Sequence, residues 1–246
     1  MDEKVTGGKN LYGEVIGIVV LKRFFPRLPG DAANASTFDF PVRLHVVQEV
    51  DRPTRWKVFA GDREMLEPFL RAVKQLEQEG VKAVTSTCGF LVQFQDIIAD
   101  AVNIPVFMSS LLQIPLVYRM LRKDQMIGVI TIDASPRGLG KKAFEAAGAA
   151  DIPIVVTGLE DSEAFNAIAE DREIMYPKKM EFDIVEHAKK LVKENPKVGA
   201  IVLECHNLPP WAKAIQDAVN LPVFDIYTLT NWVYSALVRK NFKGIM

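Results

Sequence analysis

The chain has 246 residues, 49% of them apolar and 25% charged, the mix of an ordinary globular protein of one large or two small domains. Thirty basic against 31 acidic side chains leave a net charge of −1, so no general positive field is available to hold nucleic acid or an anionic membrane. Two cysteines are too few for a disulfide scaffold, and the longest clean apolar run, Val15–Leu21, is far short of the roughly 20 residues that span a bilayer.

The start, Met-Asp-Glu-Lys, is acidic and has no apolar core behind it, unlike a secretory signal. A reducing cytoplasm is therefore the expected compartment. Along the chain, β-branched runs alternate with helical patterns. Val15–Leu21 reads as a buried strand, and Val42–Val47 as another. Glu64–Glu79 carries Leu66, Phe69, Leu70, Val73 and Leu76 at helical spacing and stops at Gly80. Pro68 in its first turns suggests a later start. Val81–Thr85 reads as a strand and Leu91–Val102 as a helix. Ile127–Ile132 is a strand, Lys141–Ala147 a helix and Ile152–Val156 a strand. Glu181–Lys193 is a helix, Val198–Leu203 a strand and Trp211–Val219 a helix. Strands alternating with helices imply a mostly parallel sheet and an α/β fold.

An internal repeat organises these elements. Val81–Phe107 lies over Val198–Phe224 at a constant offset of 117, with 12 of 27 positions identical, where chance gives about two. Val15–Val19 lies over Met126–Ile130 at an offset of 111, so the second copy carries six extra residues between these landmarks. The chain thus reads as two pseudo-symmetric α/β halves, with Cys88 and Cys205 as counterparts.

Each cysteine follows a strand and precedes a predicted helix. That turn, at the carboxyl end of a strand, is where open α/β sheets bind ligands. The unpaired N–H groups of a following helix lower a thiol pKa and bind carboxylates. A lone cysteine more often fills the core; two at matched strand ends point to chemistry instead. Metal binding is disfavoured, because no CxxC or HxxxH spacing exists around Cys88, Cys205, His206 and Glu204. A disulfide redox pair and a Ser-His-Asp hydrolase are disfavoured by the absence of CxxC and GxSxG. In the loop after the first strand, Arg23 or Arg27 could hold a carboxylate bidentately, and Arg27 enters the candidate site. Thr131, ending the matching strand of the second half, could supply a hydroxyl to the cleft. His45 and His187 read as structural.

With its duplicated halves, Thr87-Cys88-Gly89-Phe90 and Glu204-Cys205-His206-Asn207, the chain resembles the aspartate/glutamate racemase superfamily, which also holds hydantoin racemases, maleate isomerases and arylmalonate decarboxylases. The resemblance implies cofactor-independent enzymes with the active site between two pseudo-symmetric domains. Here these would be about Met1–Tyr118 with Asp225–Met246 returning to it, and Arg119–Phe224. It implies that Cys88 and Cys205 are the catalytic pair. Gly89, Phe90 and His206 would bind the substrate carboxylate through backbone N–H and nearby hydroxyl groups, with Thr87 and Asn207 beside them. Where glutamate racemases carry Cys-Asn-Thr and Cys-Thr-His, this chain has Cys-Gly-Phe and Cys-His-Asn.

The expected function is racemisation of an acidic amino acid, with one cysteine as base and the other as acid on opposite faces of the α-carbon. The partner is a small carboxylate substrate, without cofactor, metal, nucleic acid or membrane, and a homodimer is the family-based expectation. Two such sulfurs would lie roughly 6–7 Å apart across a cleft. At least one thiol is expected to have a lowered pKa, Cys88 more so than Cys205, because Glu204 adjoins the latter. The rival readings are a hydantoin racemase, an isomerase or decarboxylase of a dicarboxylic acid, and a non-catalytic protein that binds a small acid.

Overall fold

The computed structural model describes residues 4–9, 11–51, 54, 57, 58, 60–135 and 139–245; the acidic Met1–Glu3 and the terminal Met246 lie outside them. Two parallel sheets carry the chain. In the first, β1 (Ile16–Leu21) lies between β2 (Val42–Val47) and β3 (Ala83–Ser86), and a single bridge from Val84 to Val106 adds a fourth position. In the second, β4 (Met126–Thr131) lies between β5 (Ile154–Gly158) and β6 (Val198–Leu203), followed by β7 (Val223–Phe224).

The pairing register carries the repeat into three dimensions. Ile16 faces Ala83, and their counterparts Ile127 and Ala200 face each other; Val84 faces Val106, as Ile201 faces Val223. The two α/β units are copies down to the hydrogen-bond ladder. Each inner strand also carries a glycine where a helix crosses it. A Cβ on Gly17 would press on Leu76 of α1 (Leu66–Glu79), and one on Gly128 would press on Leu191 of α6 (Pro177–Glu194). Four of the six extra residues of the second copy lengthen this helix, which has 18 residues against 14.

Helix α1 starts at Leu66 after a short 3-10 turn, so Pro68 occupies the first turn, where its missing N–H is harmless. The expected helix Leu91–Val102 is different in kind: residues 89–94 form a 3-10 turn, and α2 covers only Gln95–Ala99. Helix α3 (Ile114–Met120) precedes β4, α4 (Lys141–Ala146) follows β4, and α5 (Asn166–Ala169) follows β5. A 3-10 turn at 209–211 leads into α7 (Ala212–Val219).

Strand alternation decides which core each residue joins. Val19 and Leu21 of β1 enter a large cluster that continues through Ile127, Val129 and Ile201 of the second sheet. Ile16, Ile18 and Val20 face the other way, against Ile226 and Leu229 of α8 (Ile226–Leu237). Helix α8 therefore lies on the first sheet although it follows the second in sequence. Asp225 starts it with a capping box, accepting from the Thr228 N–H. No helix among the described residues is long and apolar enough to cross a membrane.

Candidate active site

Both sheets end at one cavity of about 220 Å³. Cys88, two residues beyond β3, and Cys205, two beyond β6, line it together. The turn at Cys88 is held by Ser86, whose hydroxyl donates to Met108 O (2.8 Å) and accepts from the Cys88 N–H (3.2 Å). Thr87 anchors to β1: its N–H donates to Val19 O (3.0 Å), and its Oγ1 accepts from Leu21 N (3.1 Å). Thr87, Gly89, Phe90 and Asn207 all reach the cavity wall.

The Cys205 side is built as a chain of polar contacts. The Cys205 thiol donates to Asn207 Oδ1 (3.6 Å), and Asn207 Nδ2 donates to Asp31 Oδ2 (2.8 Å). Asp31, 2% exposed, pairs with Arg27 at 3.2 Å, and Arg27 lies over the Phe25 ring. Arg27 lines the cavity as expected, but its guanidinium is committed to Asp31. Arg23 lines the cavity too and donates only to the neighbouring Lys22 O, with no carboxylate in ion-pair range among the described residues. Burial pulls its pKa down, with Cys88 and Asp171 opposing. A half-buried cation without a paired anion favours an anionic ligand.

Two candidates sit behind the cavity wall. His206 is fully buried: Nδ1 donates to Ser86 O (2.8 Å) and Nε2 accepts from Ser110 N (3.1 Å). Burial lowers its pKa to about 4, so the ring is a neutral staple between the two halves. Thr131 is also buried, and its hydroxyl donates to Glu204 Oε2 (2.7 Å). Its effect reaches the cavity through that carboxyl.

The expected lowering of a thiol pKa is not met. Burial, then Glu204, pushes Cys88 up to about 12, although the Phe90 and Leu91 N–H groups and Arg23 oppose the rise. Burial and Glu204 push Cys205 up as well, against one N–H from Asn207. The reason is local: a 3-10 turn rather than an α-helix follows Cys88, so only the amides of that turn, with Arg23, work against its burial. The amides of Phe90 and Leu91 face the Cys88 sulfur.

Glu204 is the residue that sequence reasoning undervalued. Its position beside Cys205 was visible, but not that it would lie fully buried in the wall of a cavity shared by both thiols. Burial raises its pKa to about 7, and Thr131 moderates the rise. Phe165, Glu160 and Glu170 also line the cavity. They lie in the segment after β5, where no motif marked them.

A family profile for Asp/Glu/hydantoin racemases matches residues 32–232. Dimethylsulfoniopropionate lyase 7 of Emiliania huxleyi (strain CCMP1516) is 31% identical over 242 residues, covering 94% of this chain and 69% of that protein. In fold, the chain is similar to an arylmalonate decarboxylase (TM-score 0.59, 15% identity, 93% of this chain and 94% of that one). It is likewise similar to a glutamate racemase isoform of Bacillus anthracis (TM-score 0.58, 14% identity, 91% and 81%). Duplicated parallel sheets meeting at a two-cysteine cavity and a profile match over most of the length agree: the chain belongs to the Asp/Glu/hydantoin racemase family.

Proposed function

We propose that the protein is a lyase that removes a proton from the carbon next to a carboxylate and expels a sulfide from the adjacent carbon. Its substrate would be a small sulfonio-carboxylate of the dimethylsulfoniopropionate type. The observation that carries the carbon-acid chemistry is the pair of matched thiols on one cavity with the unpaired guanidinium of Arg23. Arg23 holds the carboxylate. The Cys88 thiolate, favoured over that of Cys205 by the amides of Phe90 and Leu91 and by Arg23, takes the α-proton. Charge developing on the carboxylate is stabilised by the same guanidinium. The carbon–hydrogen electron pair becomes the new carbon–carbon double bond, and the carbon–sulfur bond breaks with its pair leaving on sulfur. Zwitterion and thiolate thus become acrylate, neutral dimethyl sulfide and thiol.

Two features favour this reading over an amino acid. The relative's name points to that substrate. The wall is largely apolar, with Phe25, Phe90 and Phe165, and with Asp133, Glu160 and Glu170 as anions. A methylated sulfonium has no N–H to satisfy, and aromatic faces with nearby carboxylates suit it. The second reading is racemisation, favoured by the duplication, which puts one thiol in each half. One experiment separates them: incubation with dimethylsulfoniopropionate, assayed for headspace sulfide and acrylate, beside aspartate and glutamate in deuterated water. The expected result is sulfide with acrylate; α-deuteration and inversion of an amino acid without sulfide release overturns it.

A further inference from the structure

Glu204 has an arrangement that the thiols alone do not explain. It is fully buried, and Thr131 donates to Oε2 at 2.7 Å. Oε1 accepts no hydrogen bond among the described residues. A buried acceptor left open is costly and calls for a function. Residue 89 is glycine where a Cβ would collide with Oε1 and with the Glu204 carbonyl, so the first-half turn that carries Cys88 is shaped around this carboxyl. Glu204 lines the cavity with both sulfurs, and its charge acts on each of them.

We propose that Glu204 is a third acid–base group of the site, exchanging a proton with the reacting thiol and passing it to cavity water. This rests on the reading of Cys88 and Cys205 as the reacting thiols. The thiol gives its proton, through a cavity water, to the Glu204 carboxylate and becomes thiolate, since neither sulfur bonds the carboxyl directly among the described residues. The thiolate takes the substrate α-proton. The Glu204 acid then loses its proton to water, so one proton leaves the substrate and one reaches solvent. The other groups around the thiols cannot serve. His206 is neutral with both ring nitrogens occupied. Asp31 is held by Arg27, Asn207 and the Ala33 N–H. Arg23 and Arg27 do not deprotonate. Cys88 and Cys205 are buried and Glu204 fully so, so the exchange between them takes place inside the cavity, away from bulk solvent. A carboxyl whose pKa burial has raised to about 7 is suited to the exchange.

The test compares wild type with E204Q in two assays on the full chain. Thiol alkylation by iodoacetamide against pH should show an inflection near 7 in wild type that is absent in E204Q. Alkylation of E204Q above pH 8 should be as fast or faster, since a neighbouring anion is gone. Turnover should nevertheless fall about a hundredfold in E204Q, with partial recovery in E204D. T131V, which removes the hydrogen bond that favours the anion, should move the wild-type inflection to higher pH and keeps the test decisive if E204Q folds poorly. Identical alkylation profiles, or wild-type turnover in E204Q, overturn the proposal. If wild type releases no sulfide, the lyase reading fails, and the alkylation profiles still decide the role of Glu204.

Discussion

At the scale of single residues, the two arginines of the first loop separate cleanly. Arg23 faces the cavity unpaired, whereas Arg27 is locked to the buried Asp31. Arg23→Gln should therefore lower kcat/KM by about 10- to 100-fold, the worth of a charge-assisted hydrogen bond, with an unchanged denaturation midpoint. Arg27→Gln should chiefly reduce stability, which urea titration measures. Glu204 also couples stability to pH. Its carboxyl ionises near the ordinary value of 4.5 when unfolded and near 7 when folded. Between these values the folded state binds more protons, so stability falls as pH rises through the window, by roughly 3 kcal/mol in all. His206 acts in the opposite sense, since its folded pKa lies below its unfolded one, and it is common to both proteins compared. The stability of E204Q minus that of wild type should thus grow in favour of the variant from about pH 4.5 to 7 and level off above. A flat difference across that range would mean that the carboxyl is not held in its neutral form.

At the scale of elements, the site depends on contacts across the halves. Asp171, at a positive φ of 61°, accepts with Oδ1 from the backbone N–H of Phe24 (2.7 Å) and Phe25 (3.2 Å). It ties the first-half loop carrying Arg23 to the segment around α5 that forms the opposite cavity wall. Asp171→Ala removes the acceptor and keeps the strained backbone. It should raise KM by roughly five- to tenfold and speed proteolytic cleavage of that segment, while Asp171→Asn, which tolerates the same φ and keeps an acceptor, should be mild. The 3-10 turn after Cys88 is the element that the sequence pattern read as α-helix. Its residues Phe90, Leu91, Val92 and Phe94 are all buried, so apolar spacing there reports enclosure on every side rather than one helical face.

At the scale of the molecule, one apolar cluster runs through both halves, joining Val84, Cys88 and Leu91 to Val129, Ile201 and Cys205. The protein should therefore unfold in one cooperative transition, with calorimetric and van't Hoff enthalpies equal. Two resolved transitions would show that the halves are energetically separate. Helix α8 closes the outer face of the first sheet, with Tyr227 against Phe38 and Tyr234 stacked on Phe40. Removing residues 225–246 uncovers Ile18, Phe38 and Phe40 and loses the burial of Ile226 and Leu229. Those two side chains alone are worth about 3–6 kcal/mol. The truncated chain should show a lower urea midpoint and bind a hydrophobic dye.

The sequence alone determined the α/β class, the duplication and the pairing of Cys88 with Cys205. These rest on local apolar periodicity and on identities that survive at a constant offset, both of which are written in chain order. Thr87, Gly89, Phe90 and Asn207 were also legible as neighbours of the cysteines at the strand ends. Only the tertiary structure decided which arginine is free, that His206 and Thr131 stand behind the wall, and that Glu204 is buried in the wall of the cavity that holds both cysteines. Those outcomes depend on partners far away in the chain: Arg27 and Asn207 converge on Asp31, Ser86 and Ser110 on His206, and Thr131 and Gly89 on Glu204. Burial and hydrogen bonding set the charge of a group, and neither is known until the two halves have closed on each other.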